Sequence, residues 1–196
     1  MASVIISGDT SGSVTLSAPT VAGSSTQALV AETGTLAPLV NGTVRSATTA
    51  FPLDFTAIPS WVKKITVMFA SASPSLGNWF IIQLGTSGGI VTSGYLGSAF
   101  ITTTSGITAM QNSTAINIYN NSAAAADTMH GSVILNLLNP ATNTWTATGL
   151  VSKSNALVMS YVTGSISLAG ALTQVRVTSD GGTGSLDGGL INIMYE

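Results

Sequence analysis

The chain has 196 residues, of which only 6% are charged, against about 25% in an ordinary globular domain. The chain has only five Lys and Arg residues and a net charge of −2. This is too little positive charge for a surface that follows nucleic-acid phosphates. One His and no Cys exclude disulfides and leave few groups for acid–base chemistry or metal binding.

The polar character of the chain comes from Ser and Thr, which together number 53, and from 21 Gly. Hydroxyl groups hydrate a surface without long-range repulsion, so copies of such a surface pack together readily. Because β-branched residues are abundant and helix formers are scarce, the chain is predicted to be all-β. This composition favours a durable assembly protein over an enzyme, and it predicts no cofactor.

No targeting or membrane segment is predicted. No run approaches the about 18 apolar residues that a spanning helix needs, which argues against membrane insertion. The first nine residues have neither a cationic head nor a long apolar region, so we expect no secretory signal peptide and synthesis in the cytoplasm.

Residues 1–43 are predicted to form a separate, extended β segment. Short apolar–polar alternations, such as Ser13–Ser17, are interrupted by Gly and Pro. Because an isolated two-stranded unit is marginal in water, this segment is expected to fold against other chains, which indicates an oligomer.

Residues 44–196 are predicted to form an antiparallel β-sandwich of jelly-roll type, because turn signals recur about every ten residues without crossover helices. In the predicted strand at 62–72, Ile65, Val67 and Phe69 share the face expected to be buried. The predicted strands are 44–55, 62–72, 79–84, 90–95 with 100–104, 115–119, 131–138, 144–151, 157–162 with 165–168, 173–178 and 189–195.

A hydrolase-like pattern occurs at Gly85-Thr-Ser-Gly-Gly89, and Asp127 and His130 follow in the order of that catalytic triad. The nucleophile elbow of hydrolases needs a strand, a tight turn and then a helix. Here Ile90 begins a further predicted strand, so the pattern is interpreted as a turn and no catalytic residue is predicted.

Two carboxylates, Asp180 and Asp187, lie in the Gly-rich segment 179–189, which is similar to a calcium-binding repeat. The acidic residue falls one position later than that repeat requires. Both are therefore interpreted as turn formers rather than metal ligands. Arg176 is predicted to face outward and to pair with one of them.

Several aromatic residues lie near predicted strand ends or loops: Tyr95, Tyr119 with its neighbours Asn120 and Asn121, and Trp145. Aromatic faces with amide neighbours bind neutral sugars by stacking and hydrogen bonding. These residues are the candidate receptor contacts. The alternative is that the rings pack between strands or subunits.

The chain resembles phage tail-fibre proteins in several segments. Residues 6–36 look like a short repeat associated with the fibre shaft, and residues 54–69 look like the opening of a domain common at fibre C-termini. The most specific matches are Ile58-Pro-Ser-Trp-Val-Lys63 and the closing Ile191-Asn-Ile-Met-Tyr-Glu196. Further matching segments are 82–95, 139–145, 175–178 and 187–196.

The resemblance implies a trimeric, β-structured virion appendage that touches the host surface, and it supplies no catalytic residue. We therefore expect a non-enzymatic homotrimeric fibre or fibre tip in the virion, with a sandwich that contacts host-surface glycan. Residues 1–43 would join other virion proteins. Their apolar residues Val4, Ile6, Val14 and Leu16 are the candidate attachment contacts.

Two other functions stay open. The fibre-like repeat begins almost at Met1, which leaves room for a head fibre or a capsid decoration protein that coats or stabilises the particle. A free lectin-like domain is a further alternative, and the lack of a secretion signal counts against it.

Overall fold

The computed structural model describes the backbone of Ser3–Ser7 and Ser13–Ser17, and residues 37–118 and 125–196 in full. The chain divides into two compact units, residues 1–36 and residues 37–196.

In the first unit, β1 (Ser3–Ser7) and β2 (Ser13–Ser17) pair in antiparallel fashion. The register places Val4 opposite Leu16 and Ile6 opposite Val14. The four attachment candidates therefore occupy paired positions of one two-stranded sheet. Their side chains lie outside the described residues, and their role stays a prediction.

The second unit is all-β, and its described residues form no helix. Its strands in chain order are β3 (Val40–Asn41), β4 (Arg45–Ser46), β5 (Thr49–Ala50), β6 (Leu53–Phe55), β7 (Lys64–Pro74), β8 (Phe80–Thr86), β9 (Gly89–Ile90), β10 (Leu96–Thr103), β11 (Gly106–Gln111), β12 (Ile116–Ile118), β13 (Met129–Asn139), β14 (Thr144–Lys153), β15 (Met159–Ser167), β16 (Gln174–Ser179) and β17 (Ser185–Tyr195).

These strands form two antiparallel sheets. The larger sheet has ten strands in the order β11-β10-β15-β14-β13-β7-β17-β3, and β4 and β5 also pair with β17. The smaller sheet has five strands in the order β12-β8-β16-β6, with β9 paired to β8. Within the described part of the chain, β11 is an edge strand of the larger sheet.

One apolar core lies between the two sheets and makes them a β-sandwich. Ile65, Val67 and Phe69 of β7 are buried, as their alternation predicts. The ring of Phe69 packs 5.5 Å from that of Phe80 in the smaller sheet, measured between ring centroids. The predicted all-β sandwich fold is therefore confirmed.

Several strand limits differ from the predicted ones. The predicted strand 44–55 is divided into three strands: β4 and β5 pair with β17 of the larger sheet, and β6 pairs with β16 of the smaller sheet. Residues 91–95 form no strand, whereas β11 was not predicted. β3, which falls in the segment predicted as N-terminal, pairs with β17 and so belongs to the second unit.

One glycine is required where β13 bulges opposite β7, between Met129 and Gly131. Gly131 has a φ of 131°, and a Cβ there would lie 2.2 Å from the carbonyl oxygen of Leu150. Only a residue without a side chain permits this close approach of β13 and β14.

Candidate functional site

The outward-facing side of the larger sheet is a continuous surface of cross-strand rows. We call the outward side chains of β10, β11, β13, β14 and β15 the outer face. Strand register aligns its central row as Ala109, Phe100, Tyr161, Leu150 and Ser132. The two flanking rows are Gln111, Ser98, Thr163, Thr148 and Ile134, and Ile107, Thr102, Met159, Ser152 and His130.

An aromatic pair occupies the centre of the outer face. The rings of Phe100 and Tyr161 are stacked, with centroids 4.6 Å apart and planes inclined by 12°. Each of the two residues is 36% exposed, and the neighbouring Leu150, Met159 and Ile107 are exposed as well. A cluster of exposed apolar side chains of this kind is a candidate contact surface.

The alternation of each strand explains why these rings face outward. Phe100 lies between Ala99 and Ile101, which are both fully buried, and Tyr161 lies between Ser160 and Val162, which are also buried. Because successive side chains point to opposite faces of a sheet, burying these neighbours leaves both rings outside.

The outer face carries almost no charge. Its three rows contain no Asp, Glu, Lys or Arg, and His130 is their one basic residue. His130 accepts a hydrogen bond at Nδ1 from the backbone N–H of Ser71, at 3.4 Å. A second copy of the chain would therefore meet this surface without ionic repulsion.

A depression of about 360 Å³ adjoins the outer face at Thr102, Ser152 and Met159. Lys153 also lines it, and its ammonium nitrogen lies 2.7 Å from a carboxylate oxygen of Asp127. Both side chains of this ion pair are more than nine-tenths buried. The pair is thus a buried structural element beside the exposed face.

The structure does not place Tyr95 as a receptor contact. The residue is 3% exposed, and its hydroxyl accepts a hydrogen bond from Leu84 N at 2.7 Å and donates one to Val91 O at 3.0 Å. Burial raises the pKa of Tyr95 to about 12. The predicted contact is wrong because the ring fills the core and its hydroxyl joins two backbone segments.

Trp145 is also wrong as a receptor contact. It points inward from β14 in alternation with polar neighbours, and it is 3% exposed. Its indole N–H is buried without an acceptor among the described residues. Trp145 lines a cavity of about 110 Å³, and a polar void of this size suits a water molecule. The other candidates, Tyr119, Asn120 and Asn121, lie outside the described residues.

The hydrolase-like pattern is a hairpin turn, as predicted. β8 and β9 pair with Thr86 opposite Gly89, and Ser87 is exposed in the turn between them. The chain continues as a strand rather than as the helix that a nucleophile elbow needs. Asp127 is bound to Lys153, and His130 contacts Ser71.

Residues 180–184 form the turn between β16 and β17, so Asp180 lies in the turn as predicted. Asp187 lies within β17, which corrects its interpretation as a turn former. A carboxylate oxygen of Asp180 accepts a hydrogen bond from Trp79 N at 3.1 Å, and burial raises the pKa of Asp180. The described residues contain no cluster of three or more potential metal ligands.

Arg176 pairs with neither Asp180 nor Asp187, which corrects the predicted partners. β16 pairs with β6 so that Arg176 lies opposite Asp54. The guanidinium donates to both carboxylate oxygens, at 2.7 and 2.8 Å. These hydrogen bonds raise the pKa of Arg176.

Comparison with known proteins gives no match: no family model, no curated protein and no solved structure matches this chain. No helix in the described part of the chain is long and apolar enough to cross a membrane.

Proposed function

We propose that this protein is a non-enzymatic structural component of a phage virion, a homotrimeric fibre or fibre tip that contacts the host surface. The observation that carries the assembly role is the uncharged, partly apolar outer face with its stacked Phe100 and Tyr161. The virion assignment and the trimer come from the resemblance of residues 6–36 and 54–69 to tail-fibre segments.

Burial of the outer face supplies a driving force for assembly. Fully burying a large apolar side chain contributes about 1.5–3 kcal/mol, and Phe100, Tyr161 and Leu150 lie side by side in one row. The surrounding Ser and Thr residues add hydrogen-bonding capacity without charge. Such a face loses little electrostatic free energy when it leaves water.

Sedimentation of the purified chain tests the assembly role. We expect a trimer of about 59 kDa, three times the 19.7 kDa of one chain, and a folded monomer for Phe100→Asp, because a carboxylate would be buried in the contact. Ser87→Asp adds the same charge in an exposed turn and should remain trimeric. A wild-type monomer at micromolar concentration, or a trimeric Phe100→Asp protein, contradicts the proposal.

Adsorption to host cells separates the host-contact role from capsid decoration. A fibre tip is expected to bind host cells as a purified trimer, since trimeric avidity strengthens weak single sites. A trimer that coats particles but does not bind cells would identify the protein as a head fibre or decoration protein instead.

A further inference from the structure

Arg45 is a partly buried cation with no carboxylate partner in the described part of the chain. Its Nη2 donates to the backbone carbonyl of Asp54 at 2.6 Å, and its Nε is buried without an acceptor. The carboxylate of Asp54 is already held by Arg176. Withdrawing a cation from water without an opposite charge is unfavourable.

The guanidinium is also held in place by an aromatic ring. Its central carbon lies 5.4 Å from the ring centroid of Phe55, a cation–π contact. The hydrogen bond to Asp54 and this ring together fix the orientation of Arg45. Because Nε is buried, the N–H groups of Nη1 and the second N–H of Nη2 are the ones left for another acceptor.

Arg45 lines a cavity of about 290 Å³ between the β3–β4 segment and the residues that follow β6. Asn41 contributes an amide, Thr43 and Thr56 contribute hydroxyls, and Tyr195 contributes an aromatic ring with a phenol. The volume is close to the lower limit of about 300 Å³ for ligand pockets, so it accommodates a small ligand.

The walls of this cavity are fixed by the backbone. Gly42 N donates to Ile193 O at 2.8 Å, and Ile58 N donates to Thr173 O at 3.0 Å. Between these anchors Ala57 has a φ of 59°, a left-handed conformation that is unfavourable for a residue with a side chain. Strain of this kind persists where the surrounding structure enforces it and is concentrated at ligand sites.

We propose that this cavity binds a carboxylate-bearing saccharide, a sugar acid. The planar guanidinium of Arg45 matches a carboxylate in geometry and charge. Asn41 and Thr43 are placed to hydrogen-bond sugar hydroxyls, and the ring of Tyr195 offers a face for the sugar C–H groups. The proposal deepens the host contact proposed above, on which its biological role rests, by naming the ligand class.

Calorimetric titration of the full chain with glucuronic acid, glucose, acetate and inorganic phosphate tests the ligand class. We expect glucuronic acid to bind at least tenfold more tightly than glucose, acetate or phosphate, because only it offers a carboxylate and ring hydroxyls together. If acetate or phosphate binds as tightly as glucuronic acid, the assignment of the ligand as a saccharide is overturned. Equal binding of glucose, or no binding of glucuronic acid at millimolar concentration, would overturn the proposal.

Two variants locate the binding to this cavity. Arg45→Gln should weaken glucuronic acid binding at least tenfold, whereas Lys63→Gln, which removes the same charge from an exposed residue, should leave it unchanged. Asn41→Ala, at an exposed position of β3, should weaken glucuronic acid binding severalfold and leave acetate binding unaltered. Unchanged binding in both Arg45→Gln and Asn41→Ala would overturn the proposal even if the protein binds sugar acids elsewhere.

The same experiments separate this proposal from the proposed function. Phe100→Asp should lose the trimer and keep glucuronic acid binding, while Arg45→Gln should keep the trimer and lose that binding. A protein that forms trimers and adsorbs to host cells without binding sugar acids would sustain the proposed function and overturn the sugar-acid site.

Discussion

The hydroxyl of Tyr95 occupies a position that the sequence does not reveal. It accepts a hydrogen bond from Leu84 N and donates one to Val91 O, so it connects β8 with the segment that leads into β10. Each of these backbone groups would be left without a partner if the hydroxyl were removed, and unpaired buried groups are destabilising.

Tyr95→Phe should therefore lower the free energy of unfolding by about 1–3 kcal/mol. Urea denaturation followed by circular dichroism measures the change. Ser87→Ala is the control, because it removes a hydroxyl from an exposed turn, and its effect should stay below about 0.5 kcal/mol. Equal effects of the two substitutions would contradict the role assigned to Tyr95.

The pKa of Tyr95 predicts a dependence of stability on alkaline pH. The pKa is about 12 in the folded chain and about 10 when unfolded. Above pH 10 the unfolded chain therefore loses this proton more readily than the folded chain. The stabilising contribution of Tyr95 is complete below pH 10 and is lost as the pH rises toward 12. The stability difference between wild type and Tyr95→Phe should shrink over that range, and a constant difference would contradict the assignment.

The buried ion pair of Lys153 and Asp127 should respond more strongly to substitution than the exposed pair of Lys64 and Glu196. Asp127→Asn leaves a buried ammonium without its counter-ion, which costs about 3–5 kcal/mol. Lys64→Gln breaks a pair whose side chains are more than 40% exposed, and the expected cost is below about 1 kcal/mol. Thermal or urea unfolding of both variants measures this contrast, and similar costs would show that the Lys153 site is solvated.

The burial of a side chain was predictable where it follows from the apolar–polar alternation of its own strand. A contact was not predictable where the partner residue lies far away in the sequence. Trp145 belongs to an apolar–polar alternation with Ala147, and that signal could have placed it inside. Asp54 and Arg176 are 122 positions apart, and only the register of β6 against β16 brings them together. The exposure of Arg45 to a cavity likewise depends on tertiary packing.

At the scale of the strand, β7 separates the core from the outer side of the larger sheet. Phe69 faces the core and is 4% exposed, whereas Thr66 faces outward and is half-buried. Phe69→Ala should lower the free energy of unfolding by about 3–5 kcal/mol, and Thr66→Ala by less than about 1 kcal/mol. Denaturation of both variants tests this, and equal losses would place Thr66 in a subunit contact.

Long strands such as β7 were predicted because one face is buried and the other faces solvent, which imposes an apolar–polar alternation on the sequence. β11 was missed because most of its residues are exposed, so burial imposes no pattern on its sequence. The segment 44–55 was read as one strand because its composition is β-like throughout. Its division into β4, β5 and β6 follows from pairing with two different sheets, which composition does not report.

At the scale of the whole molecule, the division at residue 36 defines a fragment that should fold alone. Residues 37–196 contain both sheets and the core between them. We expect this fragment to show cooperative thermal unfolding and a β circular dichroism spectrum like that of the full chain. Removal of residues 1–43 instead would delete β3 and should lower the melting temperature.

The same fragment tests the attachment role of the first unit. If residues 1–36 join the virion, residues 37–196 should fold but fail to enter particles when supplied in place of the full chain. A fragment that enters particles at the normal copy number would assign attachment to the sandwich.

The edge position of β11 gives the larger sheet a direction in which it can grow. Along its outer edge the backbone N–H and C=O groups of β11 have no strand partner among the described residues. The strand also contains no charged residue and no Pro. Charged residues and Pro on an edge strand are features by which proteins usually prevent edge-to-edge pairing. A neighbouring chain could therefore extend the sheet by main-chain hydrogen bonds alone. An edge left open in this way would also make unassembled chains prone to aggregate through the same main-chain hydrogen bonds.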